Sequence, residues 1–379
     1  TVHNCSRERI QMAQILTDLE KKLVLLVGPR QAGKTWLAKQ IAQKFKHSLY
    51  LNYDSIKDRK IILEQSWLLE LDLLILDELH KMPDWKNYLK GIFDTKPTTM
   101  RLLVTGSARL DVYDHIGDSL AGRYFRHRLL PLSISELRQV NNPTTISTLI
   151  KRSGFPEPYL DVDETEAERW RQQYISSMLS TDVFDIEVIR NLKSFKLVFD
   201  LLRSRVASVI SYKSIAEDAQ ISPATVKKYI QILEALYIVF IVTPFSTNIA
   251  RSIIKEPKIY FFDTGLLTTD HGAKLENAVA NCLLKSLYAQ NDMHATEYSL
   301  QFLRTKDGQE IDFAIVNKNV VEEIIEVKSS QNNLHPALLK FHRKYNLPAV
   351  QIVQNLRNNF ISSGVKVLNL DTYLSELFL

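Results

Sequence analysis

The sequence contains little of three features that define whole classes of protein. Only Cys5 and Cys282 occur, which excludes a disulfide framework and favours a reducing, cytoplasmic environment. No apolar run approaches the roughly 20 residues of a membrane helix, and the N-terminus lacks the apolar region of a signal peptide. Glycine is also scarce, at 11 of 379 residues, and most glycines fall inside the motifs described below. We therefore expect a cytoplasmic protein that has no membrane partner.

The length and charge of the chain limit the number of domains and the kind of partner only loosely. A chain of 379 residues is long enough for two to four domains, each with its own core. Its 45% hydrophobic and 24% charged content is ordinary for a soluble protein. A net charge of +5 and a pI near 8.9 are compatible with a nucleic-acid partner but do not require one.

One stretch carries the motif on which the functional interpretation depends. The apolar run Leu23 to Val27 predicts a buried parallel strand, and the helical apolar spacing of residues 36–45 predicts a helix after it. Between them lies G-x-x-x-x-G-K-T, a loop whose backbone N–H groups can cradle phosphates at a helix N-terminus. Lys34 would contact the β and γ phosphates of ATP, and Thr35 would place its hydroxyl on Mg²⁺. The predicted nucleotide-binding residues are Gly28, Pro29, Arg30, Gln31, Ala32, Gly33, Lys34 and Thr35.

A second apolar run, Leu71 to Asp77, ends in the acidic pair Asp77 and Glu78. This is the Walker B pattern, in which Asp77 would orient Mg²⁺ and Glu78 would position or deprotonate the attacking water. A strand that merely ends in two solvated carboxylates is the alternative. The preceding phosphate-binding motif favours the catalytic interpretation.

Two further candidates for catalysis follow. The strand predicted for Arg101 to Ser107 ends in polar residues, so Thr105 or Ser107 could contact the γ phosphate or the attacking water. An ordinary Thr-Gly-Ser turn is the alternative. Arg123 could supply the extra cation of phosphoryl transfer to a neighbouring subunit, which would require an oligomer. The alternative for Arg123 is a surface arginine in a loop.

These motifs, in this order, resemble the AAA-type ATPase domain of a widespread prokaryotic family whose C-terminal region has no known function. The segments that carry the resemblance are GPRQAGKT, LILDELHK, LLVTGS, SLAGR and LPLSISEL, and KIYFFDTGLL (residues 258–267) also matches the family. The family usually has Gln two residues after the Walker B glutamate, where this sequence has His80.

The middle of the chain contains a candidate nucleic-acid element. Ser222 is a predicted N-cap with Pro223 at the first helical position. The short helix and turn before it, and the apolar run Ile238 to Val242 after it as a wing strand, predict a winged helix. The residues expected at DNA are Thr225, Lys227 and Lys228. Contact with a protein partner is the alternative use of such a domain.

The C-terminal part brings carboxylates and a lysine to predicted strand ends. Asp312 lies on one strand, and Glu326 and Lys328 point to one face of the next because they are two residues apart. Glu276 could join them from a helix. The set resembles the site of PD-(D/E)xK nucleases, including archaeal Holliday junction resolvases. The resemblance implies that Asp312, Glu326 and Glu276 of this chain would hold Mg²⁺ and that Lys328 would orient water. A sheet face that happens to carry charges is the alternative.

The sequence thus predicts an α/β multidomain protein: a P-loop AAA-type ATPase (1–140), a helical lid or linker (141–208), a winged helix (209–265) and a PD-(D/E)xK nuclease-like domain (266–379). The leading hypothesis is an ATP- and Mg²⁺-dependent motor, assembled as a homo-oligomer such as a hexamer, that acts on branched DNA. An ATP-gated nuclease and a nucleotide-dependent switch for protein partners are the alternatives.

Overall fold

A computed structural model describes residues 9–68, 70–106, 120–140, 144–161, 163–179, 191–246, 256–305, 307–330 and 333–379. The chain divides into two compact units, Thr1–Leu130 and Pro131–Leu379. Among the described residues, no helix combines the length and apolar character that crossing a membrane requires.

The first unit is built on a parallel five-stranded sheet. Its strands are β1 (Leu23–Val27), β2 (Ser48–Asn52), β3 (Leu73–Asp77), β4 (Arg101–Thr105) and β5 (Tyr124–Arg128), in the order β2-β3-β4-β1-β5. Its helices are α1 (Gln11–Leu19), α2 (Lys34–Ala42), α3 (Ile56–Glu64) and α4 (Trp85–Thr95). A 3-10 turn, Leu79–Lys81, follows β3.

Helices cover both faces of this sheet, which explains the apolar strands. Leu23, Leu25 and Val27 of β1 pack with side chains of α3 and α4. Val24 and Leu26, which point to the other face, pack with side chains of α1 and α2. A parallel sheet buried on both faces needs continuous apolar strands instead of alternating ones. The predicted strands and helices of this unit are therefore confirmed, with small shifts at their ends.

The second unit begins with a run of helices. They are α5 (Ile134–Gln139), α6 (Ile146–Arg152), α7 (Pro156–Leu160), α8 (Glu164–Ser177), α9 (Leu192–Ser204), α10 (Tyr212–Ala219) and α11 (Pro223–Ala235). Helices α10 and α11 are joined by a tight turn in which Gln220 has a φ of 53°. Ser222 caps α11 as predicted, because its hydroxyl accepts the backbone N–H of Thr225 at 3.1 Å.

An eight-stranded mixed sheet forms the rest of the second unit. Its strands are β6 (Val239–Pro244), β7 (Lys258–Phe261), β8 (Tyr298–Arg304), β9 (Glu310–Asn317), β10 (Val320–Lys328), β11 (Ala349–Val353), β12 (Phe360–Ser362) and β13 (Val365–Asn369), in the order β12-β13-β11-β10-β9-β8-β6-β7. The helices are α12 (His271–His294), α13 (Pro336–Tyr345) and α14 (Leu370–Ser375), and a 3-10 turn spans Thr264–Leu266.

The strand predicted as a wing is part of this sheet. β6 pairs with β7 in antiparallel fashion, as a wing would, but it also pairs with β8 in parallel. β6 and β7 therefore lie in the same sheet as the strands that carry Asp312 and Glu326, although the predicted domain boundary falls after residue 265. Long-range pairing of β6 with β8 produces this difference, and local sequence patterns do not report such pairing.

Candidate functional site

The phosphate-binding loop connects the end of β1 to the start of α2. Gly28 has a φ of 142°, and a Cβ added there would lie 2.3 Å from the carbonyl oxygen of Leu129. Gly33, with a φ of 97°, precedes the first residue of α2. Only glycine adopts such conformations without strain, so both glycines of the motif are required by the backbone. The loop presents its N–H groups at a helix N-terminus, which is the geometry that binds phosphates.

Lys34 is buried inside this loop. Its ammonium donates hydrogen bonds to the carbonyl oxygens of Gly28 and Pro29, at 2.9 and 2.7 Å. Burial lowers the pKa of Lys34 to about 8, although attraction by Glu78 and Asp77 opposes that shift. A bound phosphate would stabilise this ammonium, because a buried charge needs a partner of opposite sign.

Asp77 lies at the carboxyl end of β3 and is surrounded by hydroxyl groups. Thr35 donates its hydroxyl to Oδ2 of Asp77 at 2.9 Å, as expected for the two residues predicted to hold Mg²⁺. Tyr50 and Thr105 donate their hydroxyls to the same carboxylate. Oxygen-only ligands are what Mg²⁺ prefers, so the residues present fit this ion.

Tyr50 was not predicted as a site residue. It lies on β2, and its neighbour in the register is Ile75 of β3, two residues before Asp77. Nothing in the sequence around Tyr50 marks it as functional, since its position beside Asp77 depends on the pairing of two strands. Thr105 was a sequence candidate for contact with the γ phosphate, and the structure places it on Asp77. Ser107, the other candidate, lies outside the described residues.

Glu78 follows Asp77 with a left-handed backbone, at a φ of 56°. Its carboxylate lies 3.7 Å from Nε2 of His80 and 3.6 Å from Nζ of Lys81. Burial raises the pKa of Glu78, while Lys34 and Lys81 oppose the increase. A carboxylate with a raised pKa is a better proton acceptor at neutral pH, which agrees with the predicted role of Glu78 as general base.

Arg123 lies away from the phosphate-binding loop of its own chain. It immediately precedes β5, whose first residue pairs with Leu23 at the amino end of β1, while the loop follows the carboxyl end of β1. Five residues of strand separate the two ends by roughly 16 Å. The guanidinium of Arg123 forms hydrogen bonds with Asp94 at 2.8 and 3.1 Å. In this geometry Arg123 does not reach the nucleotide of its own subunit, and its action on a neighbouring subunit stays a prediction.

The four predicted nuclease-like residues do come together in the second unit. The backbone N–H of Asp312 donates to Oε2 of Glu326 at 3.4 Å, and Lys328 donates to Oε1 of Glu326 at 2.7 Å. Glu276 enters from α12. Burial and repulsion by Asp312 raise the pKa of Glu276 to about 8 and that of Glu326 to about 7.

Lys258 lies among these carboxylates, and the sequence analysis did not single it out. Its ammonium is 2.9 Å from Glu276, 2.7 Å from Glu310 and 3.8 Å from Asp312. Burial alone would lower the pKa of Lys258, but the attraction of these carboxylates outweighs it and raises the pKa. In the sequence, Lys258 is the first residue of KIYFFDTGLL. That segment was noted because it matches the prokaryotic family, and no local pattern in it indicates contact with the carboxylates.

Two of the predicted Mg²⁺ ligands, Glu276 and Asp312, lie close to the ammonium of Lys258. Within the described ranges, no group of three or more acidic, histidine or cysteine side chains is arranged to hold a metal ion. That Glu276, Asp312 and Glu326 jointly bind Mg²⁺ stays a prediction. The ammonium adds a positive charge at the place where a metal ion was expected.

The predicted DNA-binding residues lie on α11. Lys227 and Lys228 are exposed on the face opposite the buried Val226 and Ile230. Thr225 is half-buried, and its hydroxyl lies 2.8 Å from that of Ser222, so it takes part in capping the helix. The two lysines are thus the residues of this set that a phosphate backbone could reach.

Family comparisons agree with the geometry of the first unit. Residues 20–138 match the family described as AAA domain. Residues 144–276 and 271–373 match two families described as domains of unknown function, DUF8612 and DUF4143. The chain therefore contains an AAA-type P-loop ATPase domain with an α/β fold, as predicted. The winged helix and the nuclease-like domain have no such support.

Related proteins extend over much of the chain. An uncharacterized protein of Methanocaldococcus jannaschii is 26% identical over 351 residues, which are 82% of this chain and 76% of that protein. An uncharacterized protein of Mycobacterium tuberculosis is 28% identical over 246 residues, 65% of this chain, and the match spans only 55% of that protein. Neither relative has an assigned function.

Two solved structures are similar at low TM-scores. The Walker-type ATPase of Pyrococcus abyssi has a TM-score of 0.43 and 12% identity, over 70% of this chain and 94% of that one. The ORC1 protein of Aeropyrum pernix, in complex with DNA, has a TM-score of 0.35 and 15% identity, over 76% and 94%. Scores of this size do not establish a shared overall fold.

Proposed function

We propose that this protein is an ATP-hydrolysing motor that acts on DNA, with branched DNA such as a Holliday junction as its substrate in recombination or repair. The observation that carries the ATP-hydrolysing part is the arrangement at one edge of the parallel sheet. There, Lys34 is buried in a glycine-dependent loop, Thr35 donates to Asp77, and Glu78 follows directly.

The residues at this edge of the sheet have different roles in ATP hydrolysis. The N–H groups of the loop and the ammonium of Lys34 bind the phosphate oxygens. Thr35 and Asp77 would hold Mg²⁺, which neutralises charge on the phosphates when bound. Tyr50 and Thr105 orient the Asp77 carboxylate through their hydrogen bonds. Glu78, whose pKa is raised by burial, orients the attacking water and accepts its proton.

The position of Arg123 supports an oligomeric enzyme. Phosphoryl transfer gains from a cation at the transition state that is supplied in cis or by a neighbouring subunit. Arg123 lies at the amino ends of β1 and β5, whereas the phosphate-binding loop of its own chain lies at the carboxyl end of β1. A homo-oligomer, with a hexamer as one closed form, would allow this arginine to contact the nucleotide of the next subunit.

The DNA part of the proposal depends on α11. A helix that follows a tight turn and exposes Lys227 and Lys228 matches the way helix–turn–helix proteins place a second helix against DNA. The net charge of +5 is compatible with such contact. A nucleotide-dependent protein switch is the second candidate, since a similar domain can bind protein partners.

Steady-state ATPase rates with and without DNA test the proposal. We expect turnover to rise on addition of a four-way junction, and to rise less with duplex or single-stranded DNA of equal length. Glu78→Gln provides the blank, because it keeps the size of the side chain and removes the base. A turnover rate that no DNA alters would reject the DNA motor and favour the protein switch. A rate equal to that of the blank would reject ATP hydrolysis itself.

A further inference from the structure

We propose that Lys258 is a built-in cation that replaces the divalent metal ion at the nuclease-like carboxylate cluster. The cluster, defined here as Glu276, Glu310, Asp312 and Glu326, stabilises the fold and does not cut DNA. This inference concerns the second unit and does not depend on ATP hydrolysis by the first.

Burial and distance make Lys258 an obligatory partner of the cluster. The side chain of Lys258 is only 1% exposed, and its ammonium contacts Glu276 at 2.9 Å and Glu310 at 2.7 Å. The free-energy cost of burying an ammonium is offset only when close carboxylates or other acceptors surround it. Removal of the lysine would leave the four carboxylates with Lys328, which is 2.7 Å from Glu326, and the exposed Arg304, which is 3.9 Å from Glu310.

The carboxylate oxygens that a metal would need already have partners. Oδ1 of Asp312 faces Lys258 at 3.8 Å, and Oδ2 accepts the backbone N–H of Val327 at 2.9 Å. Oε1 of Glu326 accepts from Lys328 at 2.7 Å and lies 3.3 Å from Nδ1 of His335. Oε2 of Glu326 accepts the N–H of Asp312. Mg²⁺ needs oxygen ligands at about 2.1 Å in octahedral geometry, so an ion bound here would compete with these donors and with the ammonium of Lys258.

The sheet holds Lys258 in this position. All four residues of β7 are buried, and the strand pairs with β6, where Lys258 is opposite Val242. The ammonium lies 5.5 Å from the centre of the Phe302 ring. Two residues along the strand, Tyr260 donates its hydroxyl to the same Glu276 oxygen at 2.6 Å. The strand therefore fixes the backbone of Lys258, and the buried surroundings of its side chain direct the ammonium into the cluster.

Metal binding by the full chain tests the inference. We use Mn²⁺ as the probe and omit nucleotide, in an Asp77→Asn background that removes the Walker B carboxylate. We expect calorimetric titration of this parent to show no Asp312-dependent binding of Mn²⁺. We expect Lys258→Met to lower the Tm of the second unit by at least about 6 °C, because buried carboxylates lose their counter-ion. Millimolar Mn²⁺ should restore more than half of that loss.

Two variants show whether the restored stability comes from this cluster. Lys258→Met combined with Asp312→Asn should lose the response to Mn²⁺. Lys366→Met, which removes an exposed lysine from the same sheet, should match the parent in both Tm and metal response.

Other outcomes would overturn the inference. These are Asp312-dependent Mn²⁺ binding by the parent, an unchanged Tm for Lys258→Met, or cleavage of a four-way junction that requires Asp312. If Lys258→Met does not fold, the titrations of the parent and of its Asp312→Asn variant decide the question without it.

Discussion

Lys34 and Lys258 are both buried lysines, but their surroundings differ in a way that assigns them different tasks. Lys34 donates to two backbone carbonyls, and burial lowers its pKa to about 8. Lys258 is held by carboxylates that raise its pKa. A lysine with a lowered pKa gains from the arrival of an anion, whereas one surrounded by carboxylates already has its counter-charge. At the scale of residues, the first lysine therefore belongs to a binding site and the second to a structural cluster.

When it binds nucleotide above pH 8, the protein should take up protons at Lys34. The pKa of Lys34 is about 8 before binding, and the phosphates would raise it. Above pH 8 the bound protein then holds more protons than the free protein, so affinity for ATP falls as pH rises through 8 and is insensitive to this group well below it. Calorimetry in buffers of different ionisation enthalpy measures the proton uptake. Equal proton counts at about pH 7.5 and about pH 9 would contradict the expectation.

Tyr50→Phe should weaken the apparent affinity for Mg²⁺ in ATP hydrolysis. The substitution removes one hydroxyl that orients Asp77, and loss of such a partner costs about 10-fold to 100-fold in metal affinity or activity. We expect the Mg²⁺ concentration for half-maximal activity to rise by about 10-fold. Tyr88→Phe is the matched control, because its hydroxyl donates to the carbonyl of Ile62 instead. An equal effect of both variants would mean that Tyr50 acts on stability alone.

At the scale of elements, two loops and the helices that follow them carry the proposed function. The loop before α2 depends on the backbone freedom of Gly28 and Gly33. The turn before α11 depends on the Ser222 cap and presents two exposed lysines. In both cases the loop determines the residue at which the helix starts, and the helix supplies side chains that contact the ligand. Substitutions in the loop should therefore change backbone stability, and substitutions on the helix should change binding.

Gly28→Ala should disable the first of these loops. The added Cβ would meet the Leu129 carbonyl at 2.3 Å with a φ of 142°, and strain of this kind costs about 1–3 kcal/mol. We expect that loss of unfolding free energy and a loss of ATP binding, measured by denaturant titration and calorimetry. Gly91→Ala is the control, since its Cβ would meet nothing within 4 Å and alanine is favoured in a helix by about 0.5–1 kcal/mol. Similar losses from both substitutions would rule out this explanation.

Charge reversal on α11 tests the proposed DNA contact. Lys227→Glu and Lys228→Glu should each weaken binding to all DNA sequences alike and reduce the slope of log K against log salt by about 1, as loss of a phosphate contact does. Fluorescence anisotropy at several salt concentrations measures both effects. Lys366→Glu, an exposed reversal on β13 of the same unit, should leave the slope unchanged. An unchanged slope in the α11 variants would place DNA elsewhere.

At the scale of the whole molecule, the protein joins an AAA-type ATPase domain to a second unit with its own eight-stranded sheet. Each unit has hydrophobic core clusters and a charged cluster of its own. Arg123 does not reach the loop of its own chain. It could therefore contact a nucleotide only in a neighbouring subunit, which requires an oligomer.

Mixing two inactive variants tests assembly directly. Arg123→Ala keeps the Walker residues, and Glu78→Gln keeps the arginine. If the arginine acts on the neighbouring subunit, an equal mixture restores about a quarter of the sites, because each needs one subunit of each kind in the right order. Coupled ATPase assays on mixed and unmixed preparations measure this recovery. A mixture as inactive as its components, with mixed oligomers confirmed by native mass spectrometry, would show that Arg123 is not shared in this way.

The sequence by itself determined the features that depend on local spacing. Strand and helix periods, the glycines of the loop and the Ser222 cap are all set by residues within one or two turns of each other. These patterns were sufficient for the P-loop, for Asp77 and Glu78, and for β1, α2, β3 and β4 of the first unit. They also predicted that Glu276, Asp312, Glu326 and Lys328 would meet.

Only the tertiary structure decided which distant side chains meet these residues. Tyr50 and Thr105 reach Asp77 because β2 and β4 flank β3, and Lys258 enters the carboxylate cluster because β6 joins β7 to β8. Sheet order and register depend on long-range pairing, which periodicity does not encode. The four predicted residues therefore meet as the local patterns indicated, and the long-range pairing adds Lys258 to them.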